Sequence, residues 1–324
     1  MQTIPLVRGS VLRPVFDFAD QSGCELGERL ERARVLFHDP TALMPVAMGG
    51  ALFEEAERRT GRADIGLRAG AAVPILAYSD WGAVIAHAGT VGGTIEALVT
   101  QSRRFNSGNA FWAVKRGDEV WLHQRFCSRL VQGRRVASEF MLMLIVQALR
   151  LATGPDWRPL EIHLEGAPPP HAAELAALAA KRICFEQPYT ALVLPAPLLA
   201  RRYPADLVAP APAAHAAVPP AGFEDSMRHV VEALVRIGSA ELDGAAEATR
   251  MSERSLQRRL AECGLSFTRL VEEVRYDSAR RLLRDPQRKI VEVSAELGYT
   301  DSANFTRAFR RWSGVSPQAF RKSA

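Results

Sequence analysis

The sequence predicts an α+β N-terminal domain, helices with a small sheet, joined by a Pro/Ala linker to an all-α C-terminal domain with two helix-turn-helix motifs. Three observations carry this. Helix-period and strand-period patterns mix over residues 1–203; Pro204 to Gly222 holds five prolines and eight alanines in 19 residues; and beyond it the strand signal vanishes. A length of 324 residues at 35.5 kDa suits two domains. Domain limits of 1–203, 204–222 and 223–324 follow, and repeated prolines favour an extended linker that holds its flanks apart.

In chain order, Leu43 to Thr60 reads as a helix, with Leu52, Phe53 and Ala56 on one side and Glu54, Glu55, Glu57 and Arg58 on the other. Ala77 to His87 and Thr94 to Phe105 read as helices separated by GTVGG. Residues 111–126 switch to period two around Arg-Gly-Asp-Glu, a hairpin signature. Ser138 to Ala152 is apolar nearly all round, hence a buried helix; its strongly apolar core, Phe140 to Val146, is short for a bilayer span, and no membrane association is expected. Leu160 to Leu164 is a strand, Ala172 to Lys181 a helix and Ala191 to Leu194 a strand.

After the linker two stretches resemble each other. Met251, Leu256 and Leu260 with Arg258 between them and Gly264 after them are matched by Tyr299, Phe305, Phe309, Arg307 and Gly314; Arg258 to Arg307 and Leu260 to Phe309 are both offset by 49 residues. Each copy has a short helix, a tight turn, a capping residue (Ser252 in the first, Thr300 or Asp301 in the second) and an amphipathic second helix. Leu256, Leu260, Phe305, Phe309 and Trp312 face inward. That leaves Arg254, Ser255, Gln257 and Arg258 on the first second-helix, and Ser302, Ala303, Thr306, Arg307 and Arg310 on the other, as DNA-binding candidates. Arg pairs with guanine, Gln with adenine, and Ala or Thr packs on the thymine methyl. Phe267 to Arg284 is a helix between the copies. At 1.5 Å per residue it spans about 25 Å, enough to set two reading helices in successive major-groove faces about 34 Å apart.

Charge agrees. Residues 250–324 carry 16 Lys+Arg against 9 Asp+Glu, while residues 1–249 carry 25 against 27, so the basicity is C-terminal, where phosphates would be met.

Residues 225–322 thus resemble the DNA-binding domain of the AraC/XylS family of transcription regulators. The second motif is the most specific part: Ile290, Val293, Ala295, Leu297, Gly298, Tyr299, the run SANFTRAFRRW from Ser302, then Gly314, Ser316, Pro317 and Arg321. The N-terminal domain is similar to the arabinose-binding-type domain of one branch of that family, through Val7 to Val15, Asp64 to Leu67 and Tyr78 to Ala97. The resemblance implies cytoplasmic transcription control, double-stranded DNA read by the two second-helices, contact with RNA polymerase by an activator, and an N-terminal domain that senses a small-molecule effector, forms a homodimer, or both. One departure is the first motif's turn, where Thr249 and Arg250 stand in place of the family's usual glycine; a non-Gly residue forced left-handed costs about 1 kcal/mol.

No catalytic set, cofactor site or metal site is expected. GTVGG lacks the lysine and hydroxyl residue of a phosphate-binding loop. Four scattered cysteines without CxxC read as reduced thiols, and the seven histidines form no metal-ligand pair, so a metal site would have to be assembled from distant segments. His87 with Tyr78 and Trp81 could line a pocket or an ordinary helix interface, and Arg134 with Arg135 could bind an anion or sit on a solvated turn. An N-terminal enzyme or binder addressed to DNA, and a constitutive dimeric regulator without ligand, are the alternatives. The N-terminus has no signal-peptide pattern, so the chain is expected to stay in the cytoplasm.

Overall fold

A computed structural model describes residues 3–23, 25, 27–127, 130–209, 220 and 222–323. The N-terminal half runs β1 (Leu6–Arg8), α1 (Gly9–Gln21), α2 (Gly27–Phe37), β2 (Leu43–Pro45), α3 (Val46–Thr60), α4 (Ile65–Ala72), α5 (Ser79–Ala88) and α6 (Val91–Gln101). It continues through β3 (Asn109–Arg116), β4 (Glu119–Phe126), α7 (Arg134–Thr153), β5 (Glu161–His163), α8 (Ala172–Ala179), β6 (Ile183–Cys184) and β7 (Thr190–Pro195). The C-terminal half is helical throughout: α9 (Phe223–Arg236), α10 (Leu242–Thr249), α11 (Glu253–Glu262), α12 (Phe267–Leu283), α13 (Ile290–Glu296), α14 (Ser302–Ser313) and α15 (Pro317–Ser323).

β1 and β2 pair antiparallel, and the larger sheet has the order β3-β4-β7-β5-β6, antiparallel except for the parallel β5–β6 pair. The hairpin turns at Gly117, whose φ of +58° suits a residue without Cβ. The apolar α7 has the length and composition of a membrane span but is mostly buried as the core of the N-terminal half. It packs so closely on α4 that a Cβ at Gly66 would lie 2.3 Å from the Val136 carbonyl oxygen, and one at Gly70 would lie 2.7 Å from Met143 Cβ.

The structure differs from the sequence reading in places that have local causes. Residues 43–45 are a strand, and α3 starts only at Val46, after Pro45 in an extended conformation. GTVGG is not wholly a turn: Gly89, at φ +66°, ends α5, and Thr90 caps α6 by accepting a bond from the Gly93 N–H, so Val91 to Gly93 form the first helical turn. The helices α1, α2 and α4 carry weak patterns: α1 contains Pro14, α2 is dense in charge and α4 is rich in glycine.

Most of the Pro/Ala segment, residues 210–219 and 221, lies outside the described residues. Its flanks are not held apart. The α9 helix packs on β2 and α2, and α10 packs on α3. The buried Ile4 N–H donates to Ser226 Oγ at 3.1 Å, and Arg236 reaches Asp39 Oδ2 at 2.7 Å and the Val35 carbonyl at 3.1 Å. The cause is α9 itself, whose Phe223, Met227, Val230, Val231, Leu234 and Val235 are all buried and cover more than one face. Proline content governs the linker's own conformation but not the stickiness of the surfaces at its ends.

Candidate nucleic-acid interface

Each repeat is built the same way. In the first, α10 ends at Thr249, the chain turns through Arg250 at φ +54° and ψ +45°, and Ser252 Oγ caps α11 by accepting a bond from the Ser255 N–H at 3.2 Å. In the second, α13 ends before Gly298, at φ +77°, and Asp301 Oδ1 caps α14 by accepting from the Ala303 N–H at 2.9 Å. Of the two residues in the first turn, only Arg250 is left-handed; Thr249 is buried and donates its hydroxyl to the Ala245 carbonyl. Leu256, Leu260, Phe305 and Phe309 are fully buried, and Phe305 and Phe309 pack ring to ring at 5.8 Å. The α12 helix separates the copies over 17 residues, close to the length expected.

The sequence-derived candidates line the outer faces of α11 and α14. Arg254, Gln257, Arg258, Ala303, Arg307 and Arg310 are exposed, whereas Ser255, Ser302 and Thr306 are half-buried. The Thr306 hydroxyl donates to the Ser302 carbonyl at 2.8 Å and the Ser255 hydroxyl sits against that of Ser252, so both are partly engaged within the helix. Asn304 was not among the candidates, although it is exposed and its Oδ1 holds the Arg307 guanidinium. The i, i+3 spacing on one face is the signal that finds it.

Arginine partners differ across this half. Arg228 and Arg269 bind Glu273, Arg281 binds Glu232, Arg288 binds Glu296 and Arg311 binds Glu272, while Arg259 lies over the Phe223 ring at 4.3 Å. His229, with Nδ1 3.7 Å from Glu232 Oε2, together with Arg281 and against the effect of burial, takes the Glu232 carboxyl down to about 2. Among the described residues, Arg254 and Arg310 meet no carboxylate, Arg307 is steadied by a neutral amide, and Arg258 has only a loose, exposed approach to Glu262 at 3.8 Å. Cations with this freedom are the ones a phosphate or a guanine edge can take up without first breaking an ion pair.

The N-terminal candidates part company. Tyr78 and Trp81 are buried and border a cavity of about 30 Å³ with Phe105, Phe111, Met141 and Ser102, the last with an unpartnered buried hydroxyl. That is room for about one water. His87 is exposed on the other side of α5, with Nδ1 3.4 Å from the Ala209 carbonyl oxygen. Arg134 and Arg135 are neither a solvated turn nor a free anion site: Arg134 donates to the Leu130 and Cys127 carbonyls, and Arg135 to the Ala63 carbonyl, Glu57 and the buried Glu139.

A family model described as the arabinose-binding domain of AraC transcription regulator, N-terminal, matches residues 23–203, and a helix-turn-helix domain model matches residues 245–323. The chain is 28% identical over 196 residues to the ornithine utilization regulator of Pseudomonas aeruginosa, covering 58% of this chain and 57% of that one. It is 40% identical over 78 residues to the regulator VqsM of the same organism, covering 24% of each. The matched region thus spans little more than half of the first relative's length and a quarter of the second's. The crystal structure of the transcriptional regulator CdpR from Pseudomonas aeruginosa aligns with 22% identity over 84% of this chain and 90% of that one, at a TM-score of 0.39. With more than half of its length matched by the arabinose-binding model, the chain belongs to the AraC family of transcription regulators.

Proposed function

We propose that this protein is a sequence-specific, DNA-binding transcription regulator, an activator, in which α11 and α14 read base edges in successive major-groove faces. The observation that carries the reading is where these arginines stand: among the described residues Arg254 and Arg310 meet no carboxylate, Arg307 meets a neutral amide and Arg258 only a loose carboxylate approach, and all four lie on the outer faces of two capped, repeat-related helices. Gln257, Ala303 and Thr306 beside them supply adenine and thymine contacts, and Ser255 and Ser302 approach the backbone at the helix starts. We read residues 223–324 as the DNA-binding domain, 204–222 as the linker and 1–203 as a non-enzymatic domain that responds to a small effector, pairs two copies, or both. RNA polymerase is the partner through which activation would pass, and the cytoplasm is the setting.

In vitro selection of the full chain on a random duplex library at near-physiological salt tests this. Enrichment of two short boxes about one helical turn apart is the expected result. Binding that only falls with salt, without enrichment, would reduce α11 and α14 to a passive clamp.

A further inference from the structure

Away from the reading helices, the outer edge of the larger sheet gathers three side chains of metal-ligating chemistry. β5 and β6 run parallel with His163 opposite Cys184. Glu161 is two residues before His163 on β5, so both point to the same face of the sheet. A Glu161 carboxylate oxygen, a His163 ring nitrogen and Cys184 Sγ all lie within 4.8 Å of one another. The thiol is free, and all three residues are half-buried.

The surroundings hold this trio in place. The Trp121 ring meets the His163 ring edge-on at 4.9 Å. The Glu161 carboxylate is divided between partners: Oε1 pairs with Arg182, leaving Oε2 turned to His163 Nε2 at 2.9 Å. An arginine that fixes one oxygen while the other points at the imidazole is an outer-shell arrangement of the kind that orients metal ligands.

We propose that Glu161, His163 and Cys184 form a three-ligand site for a divalent transition metal, with Zn²⁺ the ion that the donors fit best. Thiolate, imidazole and carboxylate together are a borderline-soft set that disfavours Mg²⁺ and Ca²⁺. Bond lengths of about 2.0–2.3 Å put tetrahedral donors roughly 3.3–3.8 Å apart, so Cys184 Sγ needs to close by no more than about 1 Å while the Glu161–His163 pair opens by a few tenths of an ångström. On binding, the Glu161–His163 hydrogen bond gives way to two metal bonds: the proton between them leaves, so that Nε2 offers its lone pair with the remaining ring proton on Nδ1, and Cys184 releases its thiol proton to solvent. Water takes the fourth position. Such an ion would tie the two-residue edge strand β6 to β5, and it joins residues 21 positions apart in the sequence.

Co²⁺ titration of the metal-stripped full chain tests the site, because a thiolate bound to Co²⁺ gives a charge-transfer band in the near ultraviolet. One Co²⁺ per chain is expected, with the band displaced by Zn²⁺ and abolished in Cys184→Ser. His163→Gln should weaken binding at least tenfold, the scale on which even outer-shell changes act. Cys24→Ser, Cys127→Ser and Cys263→Ser serve as controls and should keep the band, and circular dichroism checks that each variant is folded. No band in the wild-type chain, a band that survives Cys184→Ser, or unchanged affinity in a folded His163→Gln would each overturn the proposal. None of these readouts depends on DNA binding.

Discussion

Arg258 and Arg307 hold equivalent places in the two repeats, and neither has its charge firmly matched within the protein. Replacing either with alanine is expected to cost roughly 1–3 kcal/mol on the selected duplex, measured by fluorescence anisotropy. The form of the loss identifies the contact. A base contact relaxes preference at one position of the site, whereas a phosphate contact lowers the salt slope by about 1 and leaves preference intact. Arg250 is a separate case, because its backbone is left-handed and its guanidinium is held by Gln132 of the N-terminal half. Arg250→Gly removes the Cβ that makes this conformation cost about 1–2 kcal/mol, and glycine's greater unfolded freedom offsets part of the relief. A stabilisation of about 0.5–1 kcal/mol in denaturant unfolding is expected; a loss instead would mean that the Gln132 contact outweighs the strain.

The join between α9 and α12 is where pH acts on an element. The nearby His229 and the bonded Arg281, against burial, take Glu232 from the ordinary 4.5 down to about 2. Because the folded value is the lower one, the contribution is complete above about pH 4.5 and is lost as pH falls toward 2. Glu232→Gln should therefore destabilise by about 1–2 kcal/mol at pH 7, less than the full shift implies because Arg281 is largely exposed, and the gap to wild type should close in acid. Elements of this half were legible in the sequence because α11, α12 and α14 are amphipathic and start at side-chain caps, Ser252, Ser266 and Asp301; these caps and the 49-residue recurrence of Leu260 in Phe309 are local signals. The N-terminal half was less so. Pro14 inside α1, Gly66 and Gly70 inside α4 and the two-residue β6 are all poor local formers, made regular by packing against distant segments that periodicity cannot see. The same distance hid the trio at the sheet edge, since only the β5–β6 register brings Cys184 to His163.

At the scale of the molecule the two halves share one buried apolar cluster that runs through α9. The Arg236–Asp39 pair crosses that boundary with the arginine side chain only 14% exposed. Arg236→Ala would leave Asp39 without this partner and is expected to cost roughly 1–3 kcal/mol, below the figure for a fully buried pair. Calorimetry should then resolve two unfolding transitions where the wild-type chain gives one; a single unshifted transition would show that the apolar contacts alone hold the halves together. The Ile4–Ser226 bond in the same boundary reaches into biosynthesis. Its donor is synthesised 222 positions before its acceptor, a lag of roughly 10–45 s at usual rates of elongation. Throughout that interval the edge beside β1 lacks its cover, so the nascent chain carries an open seam that only α9 can close.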